Sequence, residues 1–135
     1  MSGTFLDSNV LLYTLAADDP RAPIAADLLG KGGVISVQVL NEVANVARRK
    51  LRLSWAEVAE AVAALRVLFA TPLPLTLATH TAALTVAERY QLSFYDALIV
   101  ASALEAGCTT LLSEDLHDGL IVAECLTIQN PFRTV

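Results

Sequence analysis

Four carboxylates stand where solvation of a surface does not readily explain them. Asp7 directly follows the apolar run Thr4-Phe5-Leu6. Glu42 interrupts a helical apolar pattern between Leu40 and Val43. Asp96 opens an otherwise apolar segment beside Phe94, Tyr95, Leu98 and Ile99. Asp115 follows the apolar run that ends at Leu112, after Ser113 and Glu114. Taken singly, each has an ordinary structural use. Asp7 can cap a helix, Asp96 can partner Ser93 in a capping box, Asp115 can shape a turn, and Glu42 can be a charge on a solvated helix face. Gathered in one cleft, they repel. Two unit charges about 4 Å apart repel by about 4 kcal/mol at an effective dielectric near 20. Such a cluster must take up protons or hold cations, and no Lys or Arg adjoins Asp7, Asp96 or Asp115. An all-oxygen donor set suits Mg²⁺ or Mn²⁺ rather than Zn²⁺. A divalent ion held by acids suits phosphodiester hydrolysis, because it binds the phosphate, activates the attacking water and stabilises the leaving oxygen.

The elements that must position these acids follow from the alternation of short apolar runs with helical periodicity, which indicates an α/β domain. Thr4–Leu6, Val34–Ile35, Thr109–Leu112 and Leu126–Ile128 read as short strands. Helices are expected over Asn9–Ala16, over Ala22–Leu29 up to Gly30, and from the cap Ser36 to about Lys50. Further helices run from the capping box Ser54-x-x-Glu57 to Phe69, from Thr79 to Tyr90, and from Ser93 to Gly107, with Pro72 and Pro74 flanking an extended piece. Strands separated by helices imply a mostly parallel sheet covered on both faces. Ligands bind such sheets beyond the carboxyl ends of the strands. Asp7, Asp96 and Asp115 should map to that edge, with Glu42 reaching it from the helix after the second strand.

Composition bounds the rest. The chain has 135 residues, 55% hydrophobic and 17% charged, which fits one domain over 1–135 and excludes disorder. The most apolar stretch, Ala97 to Leu104, is far short of the ~20 residues of a membrane-spanning helix. The opening MSGTFLDSN lacks the positive cluster of a secretory signal. Cys108 and Cys125 form no CxxC pair and His80 and His117 stand alone, so a disulfide scaffold and a structural zinc site lose support. A reducing, cytoplasmic setting is expected. The cysteines are expected as small core residues, Trp55 as an anchor at a helix start, and Tyr95 as a partly buried neighbour of Asp96. The net charge of −5 argues against nucleic-acid binding through bulk positive charge. Four of the nine basic residues nevertheless fall in Arg48-Arg49-Lys50-Leu51-Arg52. Arg49 lies two helical turns after Glu42, so Arg48, Arg49 and Arg52 are candidates for tracking an RNA backbone, although a helix end also attracts cations. Asp7-Ser8-Asn9-Val10 resembles the start of a haloacid-dehalogenase-type phosphatase. That chemistry needs an Asp at position 9 and a late Lys, and both are missing. Gly30-Lys31-Gly32-Gly33 is no phosphate-binding Walker loop.

Taken in order, Phe5-Leu6-Asp7-Ser8-Asn9, Ser36-Val37-Gln38-Val39-Leu40-Asn41-Glu42-Val43, Ser93-Phe94-Tyr95-Asp96-Ala97-Leu98-Ile99 and Leu112-Ser113-Glu114-Asp115-Leu116 resemble the motifs of a PIN domain. In particular they resemble a VapC-type toxin ribonuclease, as does the ending Leu126-Thr127-Ile128-Gln129-Asn130-Pro131-Phe132. The resemblance spans essentially the whole chain. It implies a three-layer α/β/α sandwich around a mostly parallel sheet of about four or five strands. It implies Asp7 and Asp96 as core metal ligands, with Glu42 and Asp115 completing the site directly or through water. Asn9 and Ser113 match supporting positions, and the roles of Glu114 and Asp118 stay open. The implied activity is Mg²⁺- or Mn²⁺-dependent endonucleolytic cleavage of RNA by water, leaving 5′-phosphate and 3′-hydroxyl ends. The implied partners are a second copy of the chain and a small antitoxin that inserts a segment near the acidic groove, often with its own Arg. The helix from Trp55 to Phe69 can serve a dimer or the core. A non-catalytic interaction module on the same fold is the alternative, and metal binding separates the two.

Overall fold

The computed structural model describes residues 3–134. Strand β1 (Thr4–Leu6) leads into helix α1 (Ser8–Tyr13), followed by α2 (Ala22–Gly30), α3 (Val37–Arg49) and α4 (Trp55–Leu68). Helices α5 (Leu77–Tyr90) and α6 (Phe94–Glu105) precede β2 (Thr110–Leu112), β3 (Ile121–Val122) and β4 (Leu126–Gln129). Side-chain caps fix most of the helix starts. Asp7 caps α1, Ser36 caps α3, and Ser93 caps α6, each accepting a hydrogen bond from a backbone N–H within the next three residues. Ser54 and Glu57 form the reciprocal capping box expected for α4.

The sheet order is β1-β2-β4-β3. β1 pairs with β2 and β2 with β4 in parallel, whereas β3 runs antiparallel to β4. Phe5 and Leu6 point to opposite faces of the sheet and both are buried, as are Leu111 and Leu112. Both faces are therefore covered, which gives the three layers. Helix α6 is buried along Ala97–Ala103, as its nearly uniform apolar sequence requires. It packs on α5 and also meets α3, while α3 contacts α1 and α4. No helix among the described residues is long and apolar enough to cross a membrane.

Several elements differ from expectation. Asp7 is the cap of α1, so that helix starts at Ser8, and it stops at Tyr13 where Thr14 turns its hydroxyl back to the Leu11 carbonyl (2.6 Å). Thr79 is not the start of α5. Thr76 is its cap and Thr79 reciprocates from the third helical position. In place of the expected strand Val34–Ile35 stand two isolated bridges, Val34 to Phe5 and Ser36 to Leu73, because Gly33 ahead and the Ser36 cap behind leave no room for a strand. The bridge to β1 is made by Leu6 N–H to Val34 O (3.0 Å) and Val34 N–H to Thr4 O (2.9 Å). Leu73, between its two prolines, extends the same edge by donating to Ile35 O (2.9 Å). The two-residue β3 was not anticipated, since two residues carry no readable alternation.

Gly33 holds the turn into this edge at φ +144°, and a Cβ there would lie 2.9 Å from the Thr4 carbonyl oxygen. Gly33→Ala is expected to cost about 1–3 kcal/mol in chemical denaturation. An unchanged midpoint would show that the edge relaxes freely.

Candidate metal centre

The parallel register sets Leu6 opposite Leu112, and the pairing continues one residue further as Asp7 N–H donates to Leu112 O (3.0 Å). The residues leaving β1 and β2 therefore emerge side by side. Asp7 is only 3% exposed. Its Oδ1 accepts from the Ser8 N–H (2.7 Å) and its Oδ2 from the Ser113 hydroxyl (2.7 Å). Ser113, fully buried, also accepts from the N–H groups of Asp115 (3.2 Å) and Leu116 (3.3 Å), which shape the turn after β2. Asn9 staples that turn to α1. Its Nδ2 donates to Asp115 Oδ2 (3.2 Å) and Ser113 Oγ (3.3 Å), and its Oδ1 accepts from Glu114 N–H (3.1 Å).

Glu42 approaches from α3. Its Oε1 accepts from the Ser8 hydroxyl (2.8 Å) and its Oε2 from Gln38 Nε2 (3.2 Å), one helical turn earlier. Asp96 comes from the first turn of α6, where Ser93 Oγ accepts its N–H (3.2 Å). Glu42, Asp96 and Asp115 line one cleft of about 500 Å³, together with Ser8, Asn9 and Lys50. Asp7 is buried next to the Ser8 and Asn9 that line it. All four predicted acids thus belong to one place, and so do Asn9 and Ser113.

The electrostatics show the strain of that gathering. Burial pushes the Asp7 carboxyl up to about 7; the bonds from Ser113 and the Ser8 N–H pull it back, and Glu42 and Asp96 push it further up. Glu42 is raised by burial, opposed by Ser8 and Gln38, and raised again by Asp96 and Asp115. Asp96 is raised by burial, opposed by Ser93, and raised again by Asp115. Among the described residues no three His, Cys, Asp or Glu side chains meet closely enough to grip an ion by themselves. The donors are all oxygen, and they surround an opening. That set fits a hard cation such as Mg²⁺, which keeps several waters and takes one or two carboxylates plus substrate phosphate.

Sequence reasoning missed Ser8 and Gln38, although adjacency to Asp7 and the i, i−4 relation to Glu42 were available signals. It also missed Lys50, which lines the cleft where Arg48, Arg49 and Arg52 do not. Arg48 is engaged elsewhere, donating to Leu53 O (3.1 Å) with its guanidinium 5.1 Å from the Trp55 ring centre. Trp55, at the start of α4, is 65% exposed and lies beneath that guanidinium. Tyr95, expected to be partly buried, is 64% exposed. Cys108 is a core residue, and Cys125 is exposed. The two acids left open have structural partners. Glu114 accepts from Arg21 (3.0 Å) and from the Tyr13 hydroxyl, and Asp118 holds the Asn130 N–H and Arg133 (both 2.8 Å). His80 and His117 lie on the surface.

The family model of the PIN domain matches residues 4–117. The chain belongs to the PIN-domain family. A search of curated proteins gives no match to this PIN domain. Solved structures with its fold include the Mycobacterium tuberculosis toxin VapC20, described as cleaving the sarcin–ricin loop. It has a TM-score of 0.66 and 22% identity over 80% of this chain and 86% of that one. VapBC2 from Rickettsia felis, bound to a DNA fragment from its promoter, has a TM-score of 0.68 and 16% identity over 94% and 97%. A toxin–antitoxin complex from Klebsiella pneumoniae has a TM-score of 0.68 and 17% identity over 96% and 98%. At these identities the likeness speaks for the fold.

A carboxyl whose folded pKa is raised favours the folded state while protonated. Stability from Asp7 is present in full below its ordinary value near 3.8 and is lost as pH rises through about 7. In EDTA the PIN domain is expected to lose stability on the order of a few kcal/mol between pH 4 and 7.5, at about 1.4 kcal/mol per pKa unit. Asp7→Asn should flatten that dependence in thermal unfolding at stepped pH. A wild-type profile that rises with pH over this window would contradict the burial argument.

Proposed function

We propose that this PIN domain is a metal-dependent endoribonuclease, the VapC-type toxin of a toxin–antitoxin pair. The observation that carries the reading is the gathering of Asp7, Glu42, Asp96 and Asp115 around one cleft at the carboxyl edge of the parallel strands. The family supports a nuclease, and the solved structures of like fold include a sarcin–ricin-loop-cleaving toxin and two toxin–antitoxin assemblies. RNA is the substrate class, an antitoxin the regulatory partner, and a homodimer the working form.

Asp7 and Asp96 are the core metal ligands, with Glu42 and Asp115 completing the set. Mg²⁺ or Mn²⁺, when bound, supplies a neutralising charge for the phosphate and lowers the pKa of the attacking water. The protein's own groups do the holding. Ser113 and the Ser8 N–H favour the ionised form of Asp7, which burial alone would leave protonated. Ser8 and Gln38 fix both oxygens of Glu42, and Asn9 fixes Asp115. Lys50, in the same cleft, fits an RNA phosphate next to the scissile one, and Arg48, Arg49 and Arg52 stand outside the cleft as candidates for the flanking backbone. The products carry 5′-phosphate and 3′-hydroxyl ends.

The test is cleavage of total RNA by antitoxin-free protein in Mg²⁺, Mn²⁺ or EDTA, with cut ends mapped. Discrete metal-dependent cuts are expected. Asp7→Asn and Asp96→Asn should lower the rate more than a hundredfold while keeping the fold, because even partners of metal ligands cost 10–100-fold, roughly the loss expected for Asn9→Ala. No cuts in either metal, with no Mn²⁺-induced rise in thermal stability, would favour an interaction module instead.

Lys50→Ala is expected to raise KM several-fold with kcat nearly unchanged and to reduce the salt slope of RNA binding by about 1. Titration of binding against salt checks this, and an unchanged slope would remove Lys50 from the phosphate track.

A further inference from the structure

Glu42 borders a second hollow. Gln38, Asn41, Glu42 and Asn45 of α3 and Tyr95 of α6 line a groove of about 510 Å³. The α3 residues follow i, i+3, i+4 and i+7, one helical face. With about 100° per residue, Gln38, Asn41 and Asn45 fall on one flank of Glu42 and Val46 and Lys50 on the other. The amide groove and the acidic cleft therefore meet along Glu42 and Asn45, which line both.

The chemistry of this groove differs from that of the cleft. No Lys or Arg lines it, so it does not suit a phosphate. It offers amides and one aromatic ring. Gln38 is committed: it donates to Glu42 and accepts from Asn41 Nδ2 (3.5 Å). Asn41 Oδ1 and the whole Asn45 amide have no hydrogen-bond partner among the described residues, so a donor and acceptors are left facing outward. The Tyr95 ring is 64% exposed and braced edge-on by Phe94 (5.9 Å, 67°), which His80 braces in turn (5.2 Å, 65°). Its neighbour in sequence is Asp96. Asparagine reads the edge of a base through paired donor and acceptor, and an exposed aromatic ring stacks on the face of an unpaired base.

We propose that the Asn41–Asn45–Tyr95 groove is a nucleobase subsite, which seats an unpaired base of single-stranded RNA beside the scissile phosphate. The base stacks on Tyr95 and its edge meets the Asn45 and Asn41 amides. A paired base inside a duplex cannot enter, so the subsite restricts cutting to loops and open strands. The proposal deepens the nuclease reading and rests on it for the position of the scissile phosphate.

The test measures binding apart from cleavage. Fluorescence anisotropy in EDTA compares labelled A8, C8 and U8 with an abasic strand of the same length, for wild type, Tyr95→Ala, Tyr95→Phe and Asn45→Ala. Wild type is expected to prefer base-bearing strands about tenfold, Tyr95→Phe to keep that preference and Tyr95→Ala to lose it. Asn45→Ala should even out the differences among A8, C8 and U8. Equal wild-type affinity for abasic and base-bearing strands overturns the subsite, as does a Tyr95→Ala variant that still discriminates. Tyr95→Ala turning a dimer into a monomer by light scattering, with base preference intact, also overturns it and gives the groove to a second copy of the chain. The two readings fail separately. RNA cutting in metal with no effect of Tyr95 or Asn45 on binding refutes the subsite alone. Base-selective binding through Tyr95 with no cutting in either metal refutes the nuclease alone.

Discussion

A carboxylate buried at the end of a strand is the constraint around which the molecule is organised. Asp7 leaves β1 with almost no access to water, so its charge must be met by fixed donors. The donors of the two shortest bonds, both 2.7 Å, come from different places. One is the N–H of the next residue, which exists because α1 begins at once. The other is the Ser113 hydroxyl, 106 residues on, which reaches Asp7 only because β1 and β2 run parallel with Leu6 opposite Leu112. A one-residue slip of that register would remove Ser113 and turn Leu111 and Leu112 to the wrong faces. Packing and polar satisfaction therefore enforce the same alignment. Asn9 adds a second tie across this junction, so the turn bearing Asp115 is fixed to the helix that Asp7 caps.

Burial is the largest influence on the Asp7 carboxyl and the donors around it do not offset it, while Glu42 and Asp96 push the same way as burial. The acids are bound to different elements, and hydrogen bonds hold them short of convergence. Ser8 and Gln38 fix Glu42 from two sides, and Asn9 holds Asp115. Proton and cation then compete for the same negative charge. A cation that needs few protein oxygens and accepts the rest from water and phosphate fits this open arrangement better than one that needs a closed cage. An open site also leaves coordination positions for substrate, which a closed structural site does not.

The acids were legible in the sequence for a physical reason. Three of the four are tied to an element boundary, namely the end of β1, the turn after β2 and the first turn of α6, and Glu42 breaks an apolar helical pattern inside α3. Boundaries of parallel strands are where ligands bind. Asn9 and Ser113 were legible only through the company they keep. What stayed hidden depends on rotation and reach. Arg48, Arg49 and Lys50 differ by about 100° each around α3, and the sequence does not say which direction the cleft takes. Arg49 is nearly in line with Glu42 and lines neither hollow, Lys50 lines one, and Arg48 turns to Trp55. Tyr95 sits in an apolar run and reads as partly buried, yet it is exposed in the first turn of α6, ahead of the covered stretch Ala97–Ala103. Strand β3 exists through its pairing partner, not through any pattern of its own.

On the proposed nuclease reading, this acidic chain has to bind RNA without bulk positive charge. With a net charge of −5, long-range attraction works against the substrate until cations enter the cleft. Affinity must come from short-range terms. Lys50 is one cation on one flank of Glu42; the exposed ring of Tyr95 and the open amides of Asn41 and Asn45 stand on the other. Stacking and amide contacts need a base that is out of its pair, and they need the strand close enough for the ring to reach it. The same negative field that keeps random duplex away makes contact depend on a strand that can satisfy both flanks at once. Glu42, shared by the two hollows, would sit between the base that is held and the phosphate that is cut. On the proposed reading, selectivity for unpaired RNA follows from how the site gains its affinity.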